Sequence, residues 1–148
     1  MPNYTKQKKY IDMTERLDLA LKNDFYYEAI FIEYAILEDR TKSMLKHAKF
    51  SNDTCEGKLN EKLITIKNAV KFKDEYVRKH ITNELISNIH NWKNTRNKLN
   101  HELAETEYSN EFVKKTALEG AKIVKTLCNK STLVNKYFDK TIKSLLDR

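Results

Sequence analysis

The stretch LISNIHNWKNTRNKLNHEL, residues 85–103, carries the pattern that decides the fold. Its apolar side chains recur at steps of three, four and seven residues, which keeps them on one side of an α-helix. They are Leu85, Ile89, Trp92, Leu99 and Leu103. Arg96 occupies a position of the same series between Trp92 and Leu99. The stretch therefore predicts an amphipathic helix with an arginine in its apolar stripe.

The N-terminal half predicts three more helices. Asp12 or Thr14 is suited to cap a short first helix, and a second helix with a broad apolar face runs over residues 25–50. The polar run 51–57 predicts a loop at a hairpin corner. Apolar residues after that loop predict a third helix, at Leu59, Leu63, Ile66 and Val70.

The C-terminal part is periodic over residues 112–127, and Ser131 or Thr132 is suited to start a last helix. The chain has only 2 Gly and 1 Pro in 148 residues, and no internal repeat stands out. These features predict an all-α protein, a compact bundle of five to six helices that forms a single domain over residues 1–148.

The formal charge of +7 favours a polyanionic partner such as RNA, DNA or an anionic membrane over a basic one. Charges of both signs are interleaved, however, which is also typical of solvated helix faces. No apolar run approaches the roughly 18 residues that a membrane span needs, and the polar start of the chain lacks a secretory signal. We therefore expect a cytoplasmic protein with no membrane partner.

Cofactor chemistry has little support in the sequence. Cys55 and Cys128 are far apart and form no C-x-x-C pair, so neither a zinc site nor a redox pair is predicted. Phosphate-binding glycine loops, H-E-x-x-H and the G-x-S-x-G elbow are absent. We predict no metal and no cofactor.

Arg96 and His101 are the strongest candidates for chemistry. An arginine in an apolar stripe either pairs with a carboxylate of another helix or presents its planar fork of donors to a phosphate. His101 can move a proton near neutral pH. Together, a phosphate-binding arginine and a proton-transferring histidine are the minimum needed to cleave RNA through its 2′-hydroxyl without a metal.

The helix that carries Trp92, then Arg96-Asn97, three residues and His101, resembles the R-x(4–6)-H signature of HEPN domains (higher eukaryotes and prokaryotes nucleotide-binding). The resemblance implies a helical bundle that forms a homodimer through the motif helix. Two facing motifs would then form one ribonuclease cleft that cuts RNA without metal and leaves a cyclic phosphate and a 5′-hydroxyl. Many members act in toxin–antitoxin or abortive-infection systems, which implies a cognate antitoxin or defence-system partner.

Carried over to this chain, the resemblance assigns the scissile phosphate to Arg96, acid or base catalysis to His101 and a supporting role to Asn97. Glu33 and Arg40, seven residues apart on one side of the second helix, have two interpretations. They form a partly buried ion pair, or they support the site as charged residues of an earlier helix do in some relatives. Some members place a modifiable tyrosine where this chain has Leu103.

Helix geometry adds a constraint, because residues 96 and 101 differ in direction by about 140° on an unbroken helix. The length of arginine, local loosening of the asparagine-rich stretch or a two-fold dimer can bring Arg96 and His101 together. Two other functions share the fold: a non-catalytic HEPN-like adaptor that binds RNA or protein, and a helical protein that docks a partner helix.

Overall fold

A computed structural model describes residues 2–49, 58–69, 75–103 and 107–147. Within these ranges the chain forms six α-helices and no strand. They are α1 (Pro2–Lys22), α2 (Tyr26–His47), α3 (Leu59–Ala69), α4 (Glu75–His80), α5 (Asn83–Glu102) and α6 (Asn110–Leu146). The prediction of an all-α protein is confirmed for this part of the chain, whereas the loop predicted at 51–57 lies outside it.

The first helix begins much earlier than the sequence pattern indicates. It starts at Pro2, so the prediction of a short helix capped by Asp12 or Thr14 is wrong. Proline is compatible with the first turn of a helix, because the backbone N–H that it lacks would have no carbonyl partner within the helix at that position. The Thr14 hydroxyl donates to the carbonyl of Tyr10 over 3.0 Å and thus acts inside the helix.

A tight C-cap joins α1 to α2. Asp24 adopts the left-handed backbone conformation with φ of 60°, and the amide of Phe25 donates to the carbonyl of Ala20 over 2.8 Å. This is the hydrogen bond of a Schellman motif, with aspartate in the place that glycine usually takes. The Tyr26 hydroxyl donates to Asp24 Oδ1 over 2.7 Å and so holds the cap against the start of α2.

The last helix is continuous, so the prediction of a new helix at Ser131 or Thr132 is wrong. Both hydroxyls donate to the carbonyl of Cys128 over 3.0 Å, inside the helix that they were expected to begin. Buried residues of α6 follow alternating steps of four and three through this point. They are Val113, Ala117, Gly120, Val124, Leu127, Ser131 and Val134.

The chain divides into two compact units, Met1–Ile36 with Asn91–Val124, and Leu37–His90 with Lys125–Arg148. Helices α2, α5 and α6 each contribute residues to both. The buried apolar residues of the first unit include Leu17, Ile30, Ile36, Trp92, Leu99 and Val113. Those of the second include Leu37, Leu45, Leu63, Leu85, Ile89 and Leu127. The expectation of a single domain over residues 1–148 stays a prediction.

The apolar stripe predicted for α5 is largely confirmed. Leu85, Ile89, Trp92 and Leu99 are buried, whereas Leu103 is 55% exposed because α5 ends at Glu102. Phe25, which precedes α2, is likewise 58% exposed. None of the helices in the described ranges is long and apolar enough to cross a membrane.

Candidate functional site

Arg96 lies in the first unit, half-buried on α5. Its guanidinium carbon is 4.0 Å from the centroid of the Tyr34 ring, a cation–π contact with α2. Its Nη1 donates to Asn97 Oδ1 over 3.0 Å. Its Nε is buried and has no hydrogen-bond partner among the described residues. The ring and the amide hold the guanidinium in place, and no carboxylate in the described ranges forms an ion pair with it.

Asn97 contributes to the site through this one hydrogen bond. It is half-buried and follows Arg96 directly along α5, so the contact is local to the helix. Because Asn97 Oδ1 accepts from Nη1 and Nε is buried, Nη2 is the guanidinium nitrogen that keeps donors for a ligand. The structure thus brings Arg96 and Asn97 together.

His101 does not share a face with Arg96. It is exposed on the last turn of α5, which runs without interruption from Asn83 to Glu102. Five residues of regular helix separate the two side chains by about 140° around the axis and about 7.5 Å along it. The local loosening considered for the asparagine-rich stretch is not found, so a site with both residues requires a second copy of the chain or a large side-chain rearrangement.

Glu33 is the most unusual side chain of the first unit. It is fully buried on α2, and neither carboxyl oxygen has a hydrogen-bond partner in the part of the chain that the structure describes. Burial alone raises its pKa from 4.5 to about 9, because the charged carboxylate is strongly disfavoured away from water. Glu33 is therefore a neutral acid near pH 7 and does not form the ion pair with Arg40 that the sequence left open.

Gly120 creates the space that Glu33 occupies. A Cβ atom at this position of α6 would lie 2.3 Å from Glu33 Oε1 and 2.8 Å from Cε2 of Trp92, closer than real contacts allow. The Trp92 indole is fixed in turn, because its Nε1 donates to the carbonyl of Thr116 over 2.9 Å. Sequence reasoning missed Gly120, although a glycine inside the apolar stripe of a helix is a signal of close packing.

Arg40 lies in the second unit, where its Nε and Nη2 both donate to Asp39 Oδ2, from Nε over 3.1 Å. It is half-buried, as is Asp39. This ion pair joins Arg40 to the preceding residue of the same helix. The supporting role that the family resemblance implies for Arg40 stays a prediction.

The tyrosines beside the stripe of α2 have separate environments. Tyr26 is buried, whereas Tyr27 is 43% exposed. Beyond α5, the Tyr108 hydroxyl donates to Glu102, the residue after His101. This hydrogen bond is the main cause that raises the pKa of Tyr108 to about 12.

No group of three or more His, Cys, Asp or Glu side chains that could hold a metal ion occurs among the described residues. Comparison of the chain with models of known protein families, with curated proteins and with solved structures finds no match in any of the three. The resemblance to HEPN domains therefore rests on the residues of α5 and stays a prediction.

Proposed function

We propose that the protein is a metal-independent endoribonuclease of the HEPN type that acts as a homodimer, with Arg96 and His101 as its catalytic residues. The observation that supports this most is the setting of Arg96. A charged guanidinium is held at the edge of the core by Tyr34 and Asn97, and no carboxylate of the described residues forms an ion pair with it. Such an arginine is suited to bind an anion.

The reaction is transesterification within the RNA backbone. A base removes the proton of a 2′-hydroxyl, and the resulting oxygen attacks the adjacent phosphorus. The O2′–P bond forms, the P–O5′ bond breaks, and an acid protonates the leaving 5′-oxygen. The products are a 2′,3′-cyclic phosphate and a 5′-hydroxyl, and Arg96 stabilises the charge that develops on the phosphate oxygens.

The homodimer supplies what a single copy lacks. His101 lies about 140° around α5 from Arg96 of the same copy. In a two-fold dimer, His101 therefore reaches a phosphate held by the other copy's Arg96 more readily than a phosphate held by Arg96 of its own copy. Two copies also bring two histidines, of which one accepts the 2′-proton and the other donates to the 5′-oxygen.

Asn97 supports the reaction by fixing the guanidinium through its hydrogen bond with Nη1. Glu33 acts at one remove, because it packs with Trp92 against Gly120 one helical turn before Arg96. The proposal does not require Arg40. The cognate partner, an antitoxin or a component of a defence system, is part of the same proposal.

The test is incubation of wild type, Arg96→Ala and His101→Ala with total RNA in EDTA, followed by analysis of the product ends. We expect cleavage by wild type alone, with cyclic phosphate and 5′-hydroxyl ends. An exposed histidine of the same helix, His90→Ala, is the matched control and should cleave like wild type. Unchanged cleavage by a folded His101→Ala variant would contradict the proposal.

The non-catalytic adaptor is the second candidate, and one observation favours it. His101 has no hydrogen-bond partner among the described residues, whereas a catalytic histidine is usually oriented by one. An adaptor binds RNA with a steep dependence on salt and without turnover. Binding by all three proteins with intact RNA afterwards would place this function first.

A further inference from the structure

The second unit contains a cluster of aromatic and basic side chains where α4 meets α6, which we call the α4–α6 cluster. It consists of Tyr76 and His80 from α4 with Lys130 and Tyr137 from α6. The four residues approach one another from segments about fifty to sixty positions apart in the sequence. None of them belongs to the proposed ribonuclease residues.

The two tyrosine rings of the α4–α6 cluster form a partly exposed stacking platform, and the His80 ring lies beside it. The Tyr76 and Tyr137 rings are stacked with their centroids 4.6 Å apart and their planes at 22°. The His80 ring meets Tyr76 edge-on, at 4.7 Å and 62°. Tyr76 is 36% exposed, so the stack remains accessible to solvent. A planar aromatic ligand can extend such a stack.

A cation lies beside this platform. Lys130 Nζ is 3.5 Å from His80 Nδ1. Burial and the nearby Lys130 charge lower the pKa of His80 below its ordinary value, which favours the neutral imidazole. Nδ1 of this neutral ring accepts a hydrogen bond from Lys130, so the ring carries its proton on Nε2. The cluster thus presents an ammonium group and an imidazole donor next to stacked rings.

The surroundings of the α4–α6 cluster are basic. Within α4 and the part of α6 from residue 130 to 143, acidic residues are outnumbered, since only Glu75 and Asp139 carry negative charge. The basic residues there are Arg78, Lys79, Lys130, Lys136, Lys140 and Lys143. Asp139 also lies 2.6 Å from His47, which offsets its charge when that imidazole is protonated. This part of the second unit therefore attracts polyanions.

We propose that the α4–α6 cluster is a binding site for single-stranded RNA, with an unpaired base stacked on Tyr76 and the adjoining phosphate bound by Lys130. Exposed aromatic rings combined with cations are how proteins hold single strands without reading their sequence. The choice of RNA rests on the proposed function, but the binding itself requires no cleavage. The site holds substrate independently of Arg96 and His101.

The first unit provides a matched comparison for this site. Tyr108 and Phe112 are also stacked, with centroids 5.5 Å apart and planes at 20°. Their neighbours are acidic, however: the Tyr108 hydroxyl donates to Glu102, and Glu107 and Glu111 lie in the same segment. A carboxylate beside the stack repels phosphate. The Tyr108–Phe112 pair therefore has stacked rings like those of the α4–α6 cluster, but it lacks the positive charge that would bind a phosphate.

The test measures binding of a fluorescein-labelled 2′-O-methyl oligoribonucleotide of about 12 nucleotides by anisotropy. This RNA lacks the 2′-nucleophile, so it reports binding whether or not the protein cleaves. We expect Tyr76→Ala to weaken binding about tenfold and Tyr76→Phe to keep most of it. Lys130→Gln should weaken binding about threefold and lower the slope of log K against log salt by about one.

Tyr108→Ala is the control and should bind like wild type. Circular dichroism verifies that each variant is folded, and the conservative Lys130→Gln change keeps the test valid if Tyr76→Ala does not fold. Wild-type affinity in both Tyr76→Ala and Lys130→Gln, equal loss in Tyr108→Ala, or no binding by wild type would each overturn the proposal. If the wild type binds RNA through Tyr76 but cleaves no RNA, the binding site is supported and only the proposed ribonuclease function is contradicted.

Discussion

The two units treat polar side chains at their helix contacts differently. In the second unit such groups meet across helices: His47 lies 2.6 Å from Asp139, and Asn135 donates to Ser43 over 3.2 Å, although Asn135 Oδ1 is itself unpartnered. In the first unit, Glu33 is fully buried, and neither its two oxygens nor Arg96 Nε has a hydrogen-bond partner among the residues that the structure describes.

This difference has an energetic meaning. A buried polar atom without a partner costs about 1–3 kcal/mol of stability, so the first unit keeps groups that a purely structural core would replace. Unsatisfied and strongly shifted groups concentrate at functional sites, because chemistry needs polar atoms that are not already committed. The comparison therefore favours a functional role for the first unit around Arg96.

The largest expected effect is the pH dependence caused by Glu33. Its pKa rises from 4.5 to about 9 in the folded chain. Between these values the unfolded chain loses this proton while the folded chain keeps it, so a rise in pH favours unfolding. From pH 4.5 to pH 7 the contribution amounts to about 3 kcal/mol. The Glu33→Gln side chain cannot titrate. Between pH 4.5 and pH 7, the unfolding free energy of this variant, measured by urea titration, should therefore fall by about 3 kcal/mol less than that of the wild type.

Glu28→Gln on the exposed side of the same helix is the matched control for this measurement. It should keep the pH profile of the wild type. If Glu33→Gln also keeps that profile, the carboxyl is charged in the folded protein, and the contrast between the two units loses its main support.

The second effect concerns the close approach at Gly120. Gly120→Ala places a methyl group against Glu33 Oε1 and the Trp92 ring. We expect a loss of about 2 kcal/mol in unfolding free energy, because overpacking outweighs the higher helix propensity of alanine. The double variant with Glu33→Ala should recover part of the loss. A gain in stability from Gly120→Ala alone would show that the helices are further apart.

Much of the fold was predictable from the sequence, because the apolar residues on the buried side of a helix recur with its period of 3.6 residues. Leu85, Ile89, Trp92 and Leu99 follow that rule and are buried. Helix ends were less predictable. The start at Pro2 lies in a polar segment with little periodicity, and the capping signal at Ser131 was overridden by the continuous stripe of α6.

The candidate site divides in the same way. Arg96 stood out because a charge interrupted an apolar series within one helix. The close packing of Glu33, Trp92 and Gly120 depends on contacts between three helices, and no local sequence pattern predicts such contacts. For the same reason the spacing of Glu33 and Arg40 predicted an ion pair or a supporting role, but not a neutral carboxyl without a partner among the described residues.

A smaller effect concerns the ring beneath Arg96. Tyr34→Leu removes the cation–π contact, whose centroid distance is 4.0 Å, and should lower the unfolding free energy by about 1 kcal/mol. Tyr34→Phe keeps the ring and should change stability by less than that. Urea titrations of both variants measure the difference. Equal stability of the two variants would mean that the guanidinium gains nothing from the ring.

The smallest effect is expected for the ion pair between His47 and Asp139 in the second unit. The two side chains are 37% and 59% exposed, so water and salt screen their attraction, and ordering them costs side-chain entropy. Asp139→Asn should change the unfolding free energy by about 0.3 kcal/mol, and the change should vanish in about 1 M NaCl. A loss well above 1 kcal/mol that survives high salt would show a desolvated pair. The second unit would then contain a desolvated polar pair of its own, and the contrast with Glu33 would no longer set the first unit apart.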